Sequence, residues 1–302
     1  MSESLAAGRP IGRILVVGAG TMGRGIASLA ASRGIETFLF DADPSALAHA
    51  RESIERSWDK LRHRGKMTAE ELASARHHLH GVDRLAEGAD SDLALEAIPE
   101  DLELKRLLFR ELDGLCPERT ILATNTSSLS VSKIAAATRR PDRVVGLHFF
   151  NPAPVMPLVE IVAGRKTSPE TTEAARGLAR AVGKSPILVQ DSPGFATSRL
   201  GLALGLEAMR MVEEGVASPA DIDLAMEKGY GHAMGPLKTS DLVGLDVRLS
   251  IAETLRTDLH ADRYRPPKIL KRLVAQGRLG RKTGRGFYRW EDGEPRPEPP
   301  ER

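Results

Sequence analysis

Short apolar runs separated by amphipathic stretches fill residues 13–190. Ile14–Val17, Thr37–Phe40, Leu93–Ala97, Thr120–Thr124, Val144–Phe149, Leu158–Ala163 and Ile187–Gln190 each read as a strand. Unbroken apolar sequence of this length suits a strand buried on both faces. A helical stretch over Pro169–Val182 separates the last two. Strands alternating with helices predict a parallel sheet covered on both sides, a doubly wound α/β domain over residues 1–190.

Two departures from that rhythm follow. Between Pro44 and His80 the period is helical, broken at Gly65, and Thr68 followed by Glu70 and Glu71 marks a second helix start. This predicts a helical-hairpin insertion rich in cations. After Asp191 the strand-like runs stop. Leu200, Leu204, Ala208, Met211 and Val212 fall at helical spacing, Gly215 can end that helix, and Ser218-Pro219 reads as a cap with proline at the first helical position. Further helices are predicted near Ser240–Leu255 and Pro267–Gln276. Residues 191–302 therefore read as a smaller all-helical domain, with a charged, proline-rich tail from Glu291 expected to be disordered.

Composition narrows the function classes. The 302 residues are 41% hydrophobic and 28% charged, a globular balance. A net charge of +2 provides no global field for nucleic acid or an anionic membrane, and aromatics, at 4%, are too few for base stacking. No apolar run approaches the roughly 20 residues needed to cross a bilayer. Residues 1–10 lack the apolar core of a secretion signal. The lone Cys116 suits a reducing compartment and reads as a packing thiol, so the expected location is cytoplasmic. His77, His78 and His80 cluster without the ordered ligand set of a metal site, and no metal is expected.

The first strand runs directly into Gly18-Ala19-Gly20-Thr21-Met22-Gly23, and a helix follows. In that context the glycines acquire mechanical meaning: a tight turn at Gly18, close approach to a pyrophosphate at Gly20, and helix–strand packing at Gly23. The phosphates would meet the positive end of the helix, read as beginning with Arg24, and Thr21 and Met22 are expected among the cofactor contacts. Asp41 ends the second strand, where an acid binds a ribose 2′-hydroxyl and repels the 2′-phosphate of NADP. The expected fold is therefore Rossmann-type and the expected cofactor NAD.

Ligands of such sheets sit beyond the carboxyl ends of the strands. Ser127 in Asn125-Thr126-Ser127-Ser128 and His148 in His148-Phe149-Phe150-Asn151-Pro152 fall at such ends. Glu160 lies within an apolar strand, and a buried carboxylate demands a partner. His148 is the candidate, across the loop Pro152–Pro157. Taken singly, a histidine beside phenylalanines is commonly a core residue and a serine run commonly a helix cap.

Together these motifs resemble the 3-hydroxyacyl-CoA dehydrogenase family, in particular its 3-hydroxybutyryl-CoA branch. The similarity runs from Arg13 to Trp290 through Gly18–Gly23, Glu96–Glu100, Asn125–Leu129, His148–Pro152, Asp191–Phe195, Tyr230–Pro236 and Lys282–Tyr288. The resemblance implies hydride transfer between NAD(H) and C3 of an (S)-3-hydroxyacyl-CoA, with His148 as general base, Glu160 orienting it and Ser127 bonding the reacting oxygen. It also implies that Glu100, Lys105, Asn151 and Lys282 line the NAD site, that Ser57, Lys60 and Arg64 hold CoA, and that the protein is a homodimer serving fatty-acid β-oxidation or a related route. One position departs. The family's usual substrate-contacting asparagine after Pro-Gly-Phe is Ser198 here, with shorter reach and no amide. Two other readings stay open: a same-family dehydrogenase of a free hydroxy or sugar acid, and a non-catalytic NAD(H)-binding protein.

Overall fold

Side chains alternate across a strand, so an apolar run feeds two cores at once. In the first strand Ile14 and Val16 enter one core while Leu15 and Val17 enter another. The computed structural model describes residues 10–297, and its two compact units divide between Phe195 and Ala196. In the first unit the order is β1 (Arg13–Val17), α1 (Thr21–Ala31), β2 (Glu36–Phe40), α2 (Pro44–His63), α3 (Ala69–His77), β3 (Leu79–Val82) and α4 (Leu85–Gly88). It continues with β4 (Leu93–Glu96), α5 (Leu102–Leu115), β5 (Ile121–Thr124), α6 (Val131–Ala135), β6 (Val144–Phe149), β7 (Leu158–Ala163), α7 (Pro169–Ala181) and β8 (Ser185–Gln190).

These strands form one sheet in the order β3-β2-β1-β4-β5-β6-β7-β8, a Rossmann-type doubly wound arrangement. Helices α1, α2, α3 and α7 cover one face, while α4, α5 and α6 cover the other. The direction of winding reverses between β1 and β4, which opens the crevice where ligands of such sheets bind. One pair breaks the expected all-parallel pattern: β7 runs antiparallel to β6. The loop over residues 150–157 is too short for the dozen or more residues of a parallel crossover, so the chain turns straight back.

The predicted hairpin insertion is α2 and α3. Trp58 is buried beneath it, Gly65 turns the chain at φ +66°, and Thr68 and Glu71 form a reciprocal capping box. Cys116 is buried, and burial pushes its thiol up to about 11, as expected of a packing residue. The side chain of Asp191 belongs to the first unit: it accepts bonds from Ser130 Oγ, Val131 N and Ser132 N at the start of α6. Phe195 packs in the core beside α6. The division between the compact units thus falls after Phe195.

The second unit runs α8 (Thr197–Glu213), α9 (Pro219–Gly229), α10 (Pro236–Val243), α11 (Leu245–Asp258) and α12 (Lys268–Ala275), then β9 (Tyr288–Glu291) and β10 (Glu294–Pro297). Two expectations are corrected here. The single helix predicted near Ser240–Leu255 is two, because Gly244 adopts φ +105° and breaks it. The tail from Glu291 is ordered through Pro297 as a β-hairpin, since Asp292 and Gly293, both at positive φ, form the two-residue turn that hairpins favour. Residues 298–302 lie outside the described residues, as do residues 1–9, on which most of the secretion-signal argument rests.

Buried Asp241 ties the start of that hairpin to the helices. Its carboxylate accepts from Phe287 N, Tyr288 N and Trp290 Nε1, at 2.9, 2.9 and 3.0 Å. Replacing Asp241 with alanine orphans three donors, each at about 1–3 kcal/mol when buried. We expect Asp241→Ala to lower the stability of the second unit by about 3 kcal/mol or more. Hydrogen exchange at Phe287 and Tyr288 should accelerate in step; unchanged protection there would contradict this account of the hairpin.

Candidate active site

The glycine turn sits at the reversal between β1 and β4. Gly18 has φ +104°, and a Cβ there would lie 2.7 Å from the Ala97 carbonyl; one on Gly23 would lie 1.8 Å from the Gly18 carbonyl. Around Gly20 the space is open, and Thr21, which starts α1, is exposed. The Asp41 carboxylate accepts from Ala19 N at 2.6 Å and Asp43 N at 2.9 Å, pinning the turn to the end of β2. Each oxygen retains a lone pair for a ligand hydroxyl. An open backbone, a helix N-terminus and an acid at the second strand suit a dinucleotide lacking a 2′-phosphate.

Beside the turn lies a cavity of about 320 Å³. Met22, Glu100, Lys105, Ser127, His148 and Asn151 all line it, so the structure brings these predicted residues together. Lys105 is 1% exposed, unusual for a lysine, and it is paired twice: with the fully buried Glu96 and, at 3.3 Å, with Glu100. Glu100 Oε1 accepts from Thr126 Oγ1 at 2.5 Å and from Ser127 N and Ser128 N at 3.0 and 3.1 Å. Burial opposes its charge, yet the Thr126 hydroxyl and the Lys105 cation prevail and hold its carboxyl below the usual range. The loop carrying Ser127 is thereby fixed while the Ser127 side chain stays exposed.

His148 and Glu160 face each other directly in the antiparallel β6–β7 pair. His148 Nδ1 lies 2.8 Å from Glu160 Oε2, with His148 7% exposed and Glu160 fully buried. An ionised carboxylate only accepts, so Nδ1 carries the proton and Nε2 holds the lone pair. Phe150 and Phe195 pack against the imidazole at ring separations of 4.5 and 5.8 Å.

Other predicted residues lie elsewhere. Ser57 and Lys60 are exposed on α2, and Arg64 is exposed just past it as the C-cap residue, at intervals of three and four residues. A separate cavity of about 560 Å³ beside α2 is lined instead by Arg51, Glu55, Arg56 and Arg76. Ser198 and Lys282 belong to the second unit. Ser198 is in the first turn of α8, and Lys282 pairs with Asp246 at 2.6 Å.

The profile of the 3-hydroxyacyl-CoA dehydrogenase NAD binding domain matches residues 13–192, and that of the family's C-terminal domain matches residues 194–290. The chain belongs to the 3-hydroxyacyl-CoA dehydrogenase family. Its first unit is the family's NAD-binding domain, and NAD is its cofactor. A probable 3-hydroxybutyryl-CoA dehydrogenase from Bacillus subtilis is 43% identical over 282 residues, covering 93% of this chain and 98% of that protein. A 3-hydroxyadipyl-CoA dehydrogenase from Escherichia coli is 42% identical over 92% of this chain and 58% of its own length. The crystal structure of (S)-3-hydroxybutyryl-CoA dehydrogenase from Ralstonia eutropha superposes with a TM-score of 0.90 at 40% identity, covering 93% of this chain and all of that one.

In this dehydrogenase the sequence reading missed Glu96 and Asn125 as parts of the site. Glu96 receives Lys105, Thr124 Oγ1 at 2.6 Å and Ile98 N at 2.8 Å. Asn125 Oδ1 accepts from Phe149 N at 2.9 Å, joining the ends of β5 and β6 at the cavity. The signal for Glu96 was available: it is an acid ending an apolar strand, the same anomaly that singled out Glu160. Breaking one partner of a buried ion pair costs about 3–5 kcal/mol, whereas replacing both is far milder. We expect Glu96→Gln to destabilise the first unit by about that much in urea unfolding, and Glu96→Gln with Lys105→Met to recover at least half. A double variant as unstable as the single one would contradict the pairing.

Proposed function

We propose that the enzyme interconverts short-chain (S)-3-hydroxyacyl-CoA and 3-oxoacyl-CoA, with 3-hydroxybutyryl-CoA and acetoacetyl-CoA as the expected pair. The observation that carries this reading is the buried His148–Glu160 pair at the cavity. Bound NAD supplies the hydride acceptor for C3. His148 Nε2 takes the proton of the 3-hydroxyl, and Glu160 orients the ring and stabilises the imidazolium it becomes. In the reverse direction the same nitrogen returns the proton. The Ser127 hydroxyl, on its loop held by Glu100, bonds the reacting oxygen.

Gly18, Gly20, Thr21, Met22, Gly23 and Asp41 would hold the adenosine and pyrophosphate, and Glu100, Lys105 and Asn151 the nicotinamide end. Lys282 would contribute from the second unit, and Ser198 would contact the acyl group. Ser57, Lys60 and Arg64 would attract the phosphates of CoA, a role that suits an exposed basic helix face. The second unit exposes Leu200, Val216, Leu224 and Tyr230, which supports a homodimer through this unit. Among the described residues no helix is long and apolar enough to cross a membrane. A cytoplasmic place in fatty-acid β-oxidation, or in a synthetic route using the same step in reverse, fits these features.

An intact imidazole–carboxylate pair favours an enzyme over a non-catalytic NAD(H)-binding protein. NADH oxidation with acetoacetyl-CoA, set against free acetoacetate, tests the reading. Turnover confined to the thioester is expected, with NADPH a poor substitute. His148→Ala should lower kcat by about 10²–10⁴-fold, with NADH binding by fluorescence titration unchanged. A His148→Ala enzyme with near-normal kcat would remove the base assignment.

A further inference from the structure

The inward stripe of α11 is Leu245, Arg248, Ala252 and Leu255. A cation therefore occupies a position whose spacing calls for an apolar side chain. Arg248 is only 7% exposed. Its Nε is buried without a hydrogen-bond partner, and its guanidinium makes no ion pair among the described residues. Burial alone, with no opposing charge, brings its ionisation down to about 10, so it remains a cation at neutral pH. Uncompensated buried charge is costly, and a buried group perturbed in this way is a candidate for a functional role.

Arg248 Nη1 lies beside the start of α8, since a Cβ built on Gly201 would meet it at 3.9 Å, an ordinary contact distance. Ser198 is three residues before Gly201 and so shares its face of the helix. Ser198 is also the position to which the family resemblance assigns substrate contact. The planar fork of a single arginine matches one carboxylate in bidentate geometry.

We propose that Arg248 is a specificity-determining residue that binds a terminal carboxylate on the acyl chain, making ω-carboxylated 3-hydroxyacyl-CoA thioesters preferred substrates. The inference rests on the 3-hydroxyacyl-CoA reading above and deepens it. The test compares two substrates of equal length, (S)-3-hydroxyadipyl-CoA and (S)-3-hydroxyhexanoyl-CoA, which differ in ending with a carboxylate or a methyl group. Wild-type kcat/KM should favour the carboxylated thioester by about tenfold or more. Arg248→Met should lower that ratio by about 10- to 100-fold, the range for hydrogen bonds to a charged group, acting mainly through KM. Arg248→Lys should retain part of the preference.

A wild-type ratio at or below one would overturn the proposal. So would equal losses on both thioesters in Arg248→Met, which would put the anion on CoA or make the arginine structural. Thermal stabilisation by phosphate that needs Arg248, with the substrate ratio unchanged, would identify a free anion instead and equally overturn it. Turnover of the neutral thioester alone would sink only this inference. Failure of both thioesters in the wild-type enzyme would sink the broader reading, and this one with it.

Discussion

A carboxylate with no exposed surface must be satisfied from within the protein, and Glu160 is satisfied in part by His148. The two meet because β7 returns antiparallel beside β6 and pairs residue 148 with residue 160. Side chains alternate every residue along a strand, so a slip of one would turn one partner to the opposite face. The short loop over residues 150–157 thus does more than reverse the chain. It sets the register that positions an imidazole nitrogen at the cavity and leaves the other nitrogen tied to the acid.

A second constraint acts at the reversal of the sheet. Where β1 and β4 diverge, Gly18 and Gly23 leave no room for a Cβ, and Asp41 clamps the turn between them. Nearby, Lys105 is held by Glu96 from below and engages Glu100, whose carboxylate collects the donors of the loop bearing Ser127. Charge that would be costly alone becomes a scaffold when paired. The same logic operates in the second unit, where Asp241 gathers the start of the β-hairpin. Arg248 stands out because nothing among the described residues does this for it.

Much of this was legible in the chain. Apolar runs located seven of the eight strands of the large sheet, all but β3, whose Leu79–Val82 holds a histidine and a glycine. Proline and serine signals at 218 and 219 located α9, and Thr68 located α3, because all these depend on local chemistry. Glu160 was legible as an acid in an apolar strand, and the roles given to His148 and Ser127 came from the family resemblance. Less visible were features set by tertiary context. The antiparallel sense of β7 depends on where the chain returns, and the break at Gly244 hides inside an unbroken helical period. The tail from Glu291 looks disordered by composition, yet Asp292-Gly293 turns it into a hairpin. Arg248 reads as one more helix cation until the packing shows which way it faces.

The central claim is that Glu160 fixes the tautomer and orientation of His148. Nitrogen NMR of the neutral enzyme, with His148 assigned by substitution, measures it directly. The account predicts a protonated Nδ1 and an unprotonated Nε2, with that preference lost in Glu160→Gln. An Nε2-protonated ring in the wild-type enzyme, or a tautomer indifferent to residue 160, would contradict it.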